Sequence, residues 1–203
     1  MRGLRPADRQ GPPPGVPPRH PLRDLQAARG TTLTARRAVR LVAGGIALLG
    51  LAVDQLVKLA SVEFLEPGVP VNLVGSLLRL NLIRNPGAAF GMGSEVTIVF
   101  TIFAMLATVG CLVFALPRIT RTWHAIALGL LLAGITGNLV DRLMQPPAAL
   151  HGHVIDMFQL QGFAIFNIAD VCITAAAVLI IIGSFRSERT DDVVEAPAEE
   201  QAA

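Results

Sequence analysis

Residues 163–185 read FAIFNIADVCITAAAVLIIIGSF. This stretch is apolar over about the 20 residues that the hydrocarbon core of a bilayer requires, so it predicts a membrane-spanning helix. Its strongly polar residues, Asn167 and Asp170, both lie near its start. An ionisable group in hydrocarbon is costly unless it pairs or lines a cavity, so these two residues mark a candidate functional site.

Three more apolar stretches of similar length precede it, at residues 37–62, 96–116 and 123–143. Their polar residues also gather toward one end: Asp54 and Lys58 lie late in the first, and Asn138, Asp141 and Arg142 close the third. If the chain crosses the membrane back and forth, all of these side chains reach the same face. The sequence therefore predicts an all-α membrane protein with four transmembrane helices and a buried polar cluster.

The distribution of basic residues predicts the orientation. The chain has 203 residues, 52% of them hydrophobic, and a mean hydropathy of +0.56, which indicates a single-domain membrane protein. Nine arginines lie at or before Arg40, and further pairs of arginines follow the second and fourth stretches. The positive-inside rule therefore puts both termini in the cytoplasm and the polar cluster toward the extracytoplasmic face.

The two ends of the chain differ from the apolar middle. Residues 1–35 are rich in Pro, Arg and Gly, and such a segment cannot bury enough surface to fold. Residues 187–203 are acidic. We expect both to be disordered cytoplasmic tails flanking a membrane domain at residues 36–186. No basic stripe with interleaved aromatic residues is present, so we expect no nucleic-acid partner.

The connection between the first two stretches is too patterned for a plain loop. Residues 77–83 partly alternate apolar and polar side chains, and Gly and Pro bound the run. This pattern predicts a small β-element on the extracytoplasmic surface between helices 1 and 2. Residues 86–94, PGAAFGMGS, are mostly small and suit a close approach to a ligand or a neighbouring strand.

Asp156 and Asp170 are the candidate catalytic pair. Asp156 is expected in the outer loop before the fourth helix, and Asp170 about two turns into that helix. Two carboxylates brought together share a proton, so that one can activate a water while the other polarises a peptide carbonyl. The alternative is structural: Asp156 caps the last helix and Asp170 pairs with Arg142.

The remaining polar residues are candidates for supporting roles. Asn138, Asp141 and Arg142 share one helix face, as do Asn167 and Asp170. Arg142 would hold the adjacent Asp141 ionised, which favours a positioning role for Asp141 over a catalytic one. Arg142 itself could meet a lipid phosphate or a peptide carbonyl.

Two further features have a structural and a functional interpretation. Asp54 and Lys58 have the i, i+4 spacing of a helix ion pair, with Lys58 snorkelling outward. Asn85 stands where it could orient the substrate backbone, or it could be a turn residue. His151 and His153 lack a clear third and fourth ligand, so we expect no metal.

Five motifs in order identify a family resemblance: DQLVK at 54–58, NPGAAF at 85–90, GNLVDR at 137–142, VIDMF at 154–158 and FNIAD at 166–170. The chain resembles the bacterial lipoprotein signal peptidases (signal peptidase II), integral-membrane aspartic proteases of the cytoplasmic membrane. The resemblance covers about residues 40–185. The chain departs from the family in its long N-terminal tail and in an extended stretch before VIDMF.

The resemblance implies that Asp156 and Asp170 are the catalytic dyad, working without metal or cofactor. The supporting residues it implies are Asn85, Asn138, Asp141, Arg142, Asn167, Asp54 and Lys58. The implied substrate is a prolipoprotein carrying diacylglycerol on a Cys, cut on the N-terminal side of that Cys, in contact with membrane lipid. The alternative function is a small transporter that uses the buried acids as a proton relay, although the repeats expected of many transporters are not seen.

Overall fold

The structure, a computed structural model, describes residues 21–87 and 97–194. Within them, four helices are long and apolar enough to cross a membrane. The helices are α1 (Pro21–Phe64), α2 (Thr97–Gly110), α3 (Thr122–Met144) and α4 (Ile168–Val194). A π-helical turn, Cys111–Ala115, and a 3₁₀ turn, Leu116–Arg118, follow α2. The prediction of four membrane helices is confirmed.

Two helices extend into the predicted tails. α1 begins at Pro21 and α4 runs to Val194, so residues 21–35 and 187–194 are helical where disorder was expected. The physical reason is that extending an existing helix adds one hydrogen bond per residue fixed and avoids the cost of a new nucleus. Residues 1–20 and 195–203 lie outside the described residues, as does most of the small-residue segment at 86–94.

The predicted β-element is present and is larger than expected. Strands β1 (Val71–Val74) and β2 (Leu78–Asn85) come from the connection between α1 and α2. Strands β3 (Val154–Leu160) and β4 (Ile165–Phe166) come from the connection between α3 and α4. Together they form one antiparallel sheet in the order β1-β2-β3-β4. The two connections on this side of the membrane domain are therefore joined by hydrogen bonds.

Two predictions about the second connection are wrong. Asp156 lies on strand β3 instead of in a loop, opposite Ile83 of β2. Residues 163–167 precede α4, so Asp170 lies in the first turn of the helix instead of two turns inside it. Short apolar runs such as AIF do not separate a strand from a helix by periodicity, because every position is apolar.

The sheet packs on the end of α1. Leu82, Ile155 and Met157 form a buried cluster beneath it, with Val57 of α1 and Leu65, which directly follows α1, against the cluster. Each fully buried side chain of this size contributes about 1.5–3 kcal/mol by leaving water. This packing fixes the position of β3, and therefore of Asp156, relative to the helices.

Small residues bring α3 close to its neighbours. A side chain at Gly137 would place its Cβ 2.6 Å from Asp54 Oδ2 of α1, so only glycine fits there. Small residues at helix interfaces are the usual way in which membrane helices approach each other closely. The close approach lets polar groups of α1, α3 and α4 meet.

Candidate active site

Asp156 is buried and held by two amide side chains. It is 3% exposed. Asn85 Nδ2 donates to Asp156 Oδ2 at 2.9 Å, and Asn167 Nδ2 donates to Asp156 Oδ1 at 2.6 Å. Both carboxyl oxygens of Asp156 therefore accept a hydrogen bond, one from the end of β2 and one from the start of α4.

Asp170 belongs to a capping box at the start of α4. The Asp170 N–H donates to Asn167 Oδ1 at 3.0 Å, and the Asn167 N–H donates to Asp170 Oδ2 at 3.2 Å. Such reciprocal bonds satisfy two N–H groups that have no partner within the helix. The Ala169 N–H also lies in the first turn of α4 and has no partner within the helix, and it donates to Asp54 Oδ1 at 2.9 Å. The motif FNIAD therefore also marks the start of a helix. The i, i+3 spacing of Asn167 and Asp170 is the signal for such a capping box, and it was not used to predict the start of α4.

Lys58 determines how the amide of Asn138 is oriented. Lysine can only donate hydrogen bonds, so the oxygen of Asn138 faces Lys58 Nζ, at 3.2 Å. The NH₂ group of Asn138 then points to Asp170 Oδ1, at 2.8 Å. Lys58 therefore positions a donor on Asp170 through Asn138.

The other two amides are oriented by backbone N–H groups. The Asn167 oxygen accepts from the Asp170 N–H. Its NH₂ group therefore donates to Asp156, and it also donates to Asn138 Oδ1 at 3.1 Å. The Asn85 oxygen accepts from Gly87 N–H at 3.0 Å, which turns its NH₂ group to Asp156. Asn85 is thus a turn residue whose amide also bonds Asp156, and its expected role in orienting the substrate backbone stays a prediction. Every one of the three amide NH₂ groups contacts a candidate catalytic carboxylate.

Asp54 and Lys58 pair as predicted, but Lys58 does not snorkel. Its Nζ lies 2.9 Å from Asp54 Oδ2 and 2.7 Å from Asp141 Oδ2, and the side chain is 2% exposed. Three helix-borne partners, Asp54, Asp141 and Asn138, hold the ammonium group inside the protein. Burying one cation between two carboxylates compensates the cost of removing these charges from water.

The expectation that Arg142 holds Asp141 ionised is wrong. The partner of Asp141 is Lys58, and Asp141 also accepts the Ile155 N–H of β3 at 3.1 Å. Asp141 therefore ties α3 to the strand that carries Asp156, in line with the predicted positioning role. Arg142 stacks over the ring of Phe100, with its Cζ 5.7 Å from the ring centroid. In the described residues, the ion pairs within 4.0 Å involve Lys58, and none joins Arg142 to Asp170.

The candidate site residues line one cavity of about 1000 Å³. It is lined by Asp156, Asp170, Asn138, Arg142 and Asn85. Arg84 also lines it, and the remaining walls are apolar and include Phe100, Phe163, Ile165 and Phe166. The sequence analysis missed these aromatic residues, because a Phe in an apolar stretch looks the same on a lipid-facing surface and in a cavity wall.

Burial raises the pKa of Asp156 to about 6. The nearby charge of Asp170 raises it further, while the hydrogen bonds from Asn85 and Asn167 lower it. Asp156 is therefore the member of the pair whose burial favours a bound proton. A carboxyl group with a pKa of about 6 carries a proton more often near neutral pH than a free aspartate does, and its protonated form can donate to a substrate carbonyl.

His151 and His153 stay outside this arrangement. Within residues 21–87 and 97–194, no group of three His, Cys, Asp or Glu side chains is placed to hold a metal ion. The expectation of metal-free chemistry stays a prediction that a chelator can test.

Known proteins with similar sequences and structures identify the family. Residues 46–186 match the family model of signal peptidase (SPase) II. The lipoprotein signal peptidase of Rhodococcus jostii is 40% identical over 148 residues, 72% of each chain. That of Streptomyces coelicolor is 40% identical over 153 residues, 73% of this chain and 72% of the relative.

A solved structure has the same fold. It is that of a bacterial membrane enzyme determined by the in meso method at 2.3 Å resolution, with a TM-score of 0.63 and 27% identity. The match covers 76% of this chain and 91% of that one. Together with four membrane helices and a cavity lined by two aspartates, these similarities show that the chain belongs to the signal peptidase II family of membrane aspartic peptidases.

Proposed function

We propose that this peptidase removes signal peptides from diacylglyceryl-modified prolipoproteins, cutting on the N-terminal side of the lipidated Cys with Asp156 and Asp170 as its catalytic dyad. The observation that carries the proposal is that both carboxylates line one cavity and are oriented by the same amide network. The names of the relatives, lipoprotein signal peptidases, support the substrate class.

The two carboxylates divide the chemistry. Asp170 lies at the N-terminal end of α4, where the helix dipole favours a negative charge, and it acts as the base that takes a proton from the attacking water. Asp156 reacts in its protonated form, which burial favours, and donates to the scissile carbonyl oxygen. The C–N bond then breaks as the proton taken by Asp170 goes to the leaving amine, and Asp156 takes its proton back from the gem-diol hydroxyl as the carbonyl forms again. Asn138, Asn167 and Asn85 hold the carboxylates in place, and Lys58, Asp54 and Asp141 hold the helices that carry them.

Recognition of the lipid follows from the apolar walls of the cavity. Acyl chains contribute about 0.8 kcal/mol per buried CH₂ group, and the aromatic side chains around Phe100 and Phe166 provide apolar surface beside the carboxylates. Arg142 contacts Phe100 and lines the same cavity as the dyad, so its guanidinium can bind a peptide carbonyl of the substrate.

The site faces outward from the bacterial cytoplasmic membrane in this proposal. The carboxylates lie at the end of the domain that carries the sheet, whereas Arg118 and Arg121 lie at the other end of α2 and α3. By the positive-inside rule, the arginine-rich end and both termini are cytoplasmic. A proton-relay transporter is not favoured, because the family is one of peptidases.

The test compares a lipid-modified precursor with the same precursor carrying an unmodified Cys, both in detergent micelles. We expect cleavage of the first to be at least tenfold faster, because only the acyl chains hold the scissile bond at the depth of the cavity. Comparable rates would contradict lipid-directed recognition. Adding EDTA should leave the rate unchanged, and a loss that zinc restores would contradict the two-carboxylate mechanism.

A further inference from the structure

A second cavity lies away from the carboxylates, on the lipid-facing side of α2 and α3. It measures about 690 Å³ and is apolar over most of its length, with Phe103, Gly110, Phe114 and Leu131 among its lining residues. Arg118 lies at its end and is the one charged residue among those that line it within the described part of the chain. We call this cavity the α2–α3 groove.

The α2–α3 groove is long enough to hold an acyl chain. From Phe103 to Arg118 the helix rises about 22 Å at 1.5 Å per residue, and one leaflet contributes about 15 Å of hydrocarbon. Only 6% of the most apolar window of α2 is buried within the protein, against 44% for α3. The surface of α2 beside the groove is therefore left for lipid to cover.

The charge at the end of the groove is positive. Arg118 Nη1 donates to the Phe114 carbonyl at 2.7 Å, which keeps the guanidinium beside the groove. Arg40 Nη2 of α1 donates to the Pro117 carbonyl at 2.6 Å, so a second guanidinium is held at the same turn. Arg121 follows three residues later, and residues 96–140 contain no Asp or Glu. No acidic side chain of α2 or of the turn before α3 neutralises this charge.

We propose that the α2–α3 groove binds one acyl chain of an anionic phospholipid whose phosphate is held by Arg118, Arg40 and Arg121. Arginine suits this role because its N–H groups form a fork that matches phosphate oxygens. The site is separate from the dyad, since the groove and the catalytic cavity share no lining residue. It would hold a resident membrane lipid and not the substrate.

The experiment counts lipids that remain on the full chain after purification. Native mass spectrometry in detergent would compare added phosphatidylglycerol with phosphatidylcholine of the same chains. We expect one retained phosphatidylglycerol and at least fivefold weaker retention of phosphatidylcholine. Arg118→Gln should weaken the retention of phosphatidylglycerol about fivefold, because each basic residue near a lipid surface contributes about 1 kcal/mol.

A matched pair of glycine variants tests the groove itself. Neither Gly110, in the groove, nor Gly45, on α1, has an atom within 4 Å of the position that a Cβ would take. Gly110→Leu should fill the groove and abolish retention of the lipid, whereas Gly45→Leu should leave it unchanged. Equal retention in both variants, or equal binding of the two lipids, would overturn the proposal. So would displacement of the lipid by inorganic phosphate, because that result would mean that the acyl chain is not bound.

Discussion

Strand β3 and the first turn of α4 each present one carboxylate to the same cavity, but in different surroundings. Asp156 on β3 is 3% exposed, and both of its oxygens accept from amide side chains. Asp170 is half-buried and accepts one amide N–H and one backbone N–H, at the positive end of a helix. A strand buried in the sheet favours a neutral acid, whereas a helix start favours an anion. The two aspartates therefore differ in burial and in their hydrogen-bond donors, and we expect this difference to give them different tasks.

Replacing either carboxylate should have the largest effect. We expect Asp156→Asn and Asp170→Asn each to lower the processing rate about 10³-fold or more, because each removes one proton-transfer group. The measurement is cleavage of a lipid-modified precursor by purified protein. Glu63→Gln, an exposed acid at the end of α1, is the control and should cleave normally. Full processing by either Asn variant would contradict the assignment of the dyad and the different tasks given to Asp156 and Asp170.

Removing Lys58 tests whether the catalytic dyad depends on the buried cation that pairs with Asp54 and Asp141. Lys58→Met leaves Asp54 and Asp141 without their counter-charge, and breaking a buried ion pair typically costs about 3–5 kcal/mol. We expect a clearly lower Tm in detergent and slower processing, because Asn138 loses the Lys58 donor and keeps only the Asn167 NH₂ group to orient it toward Asp170. Ser61→Ala, a buried change one turn further along α1, should shift both much less. If Lys58→Met behaves like Ser61→Ala, the proposed orienting role of Lys58 is wrong.

The different surroundings of Asp156 should also appear in the pH dependence of stability. Its pKa rises from 3.8 to about 6 in the fold, so the native state binds the proton more tightly than the unfolded state. The contribution of Asp156 to the free energy of unfolding is therefore most favourable below pH 4, and it falls by about 3 kcal/mol as the pH rises from 4 to beyond 6. Asp156→Asn has no such proton to lose.

The Tm of Asp156→Asn relative to that of the unchanged protein should therefore rise between pH 4 and 7. The difference at a single pH is less informative, because the new amide presents an NH₂ group to a site built from donors. Glu63→Gln provides the baseline for an exposed acid. A relative Tm that stays constant over this range would mean that Asp156 is not the buried, proton-binding member of the pair.

The sequence predicted the helices well and the sheet only in part. Spans of about 20 apolar residues have few alternatives in a chain of this composition, and the four helices followed from them. Strand β3 was missed because its first four residues, Val154 to Met157, are all buried, so VIDMF lacks the apolar–polar alternation of a half-buried strand and resembles any short apolar segment. Its pairing with β2 joins residues about 70 positions apart, and such a pairing cannot be inferred from local pattern.

At the site, the residue types were predictable and their partners were not. Polar groups in apolar helices are few, so Asp54, Lys58, Asn138, Asp141 and Asn167 stood out. The choice of partner depends on where helices touch: Lys58 meets Asp141 because α1 and α3 approach at Gly137. The neighbour in sequence, Arg142, instead turns to Phe100. Spacing along one helix gives a shared face, but it does not say which helix that face meets.

The smallest expected effect concerns Asn85, which tunes the proton on Asp156. Its NH₂ group bonds Asp156 Oδ2 at 2.9 Å, and this bond lowers the pKa of Asp156 against the larger effect of burial. Removing the bond in Asn85→Ala should raise that pKa further. The proton needed on Asp156 is then lost at a higher pH, so the alkaline limb of kcat/KM, which reports the free enzyme, should move upward. Asn81→Ala is a matched control on the same strand, because Asn81 bonds Gln159 at 3.2 Å instead of the dyad. An alkaline limb that moves downward in Asn85→Ala, or moves equally in both variants, would show that Asp156 is not the acid whose proton limits the reaction.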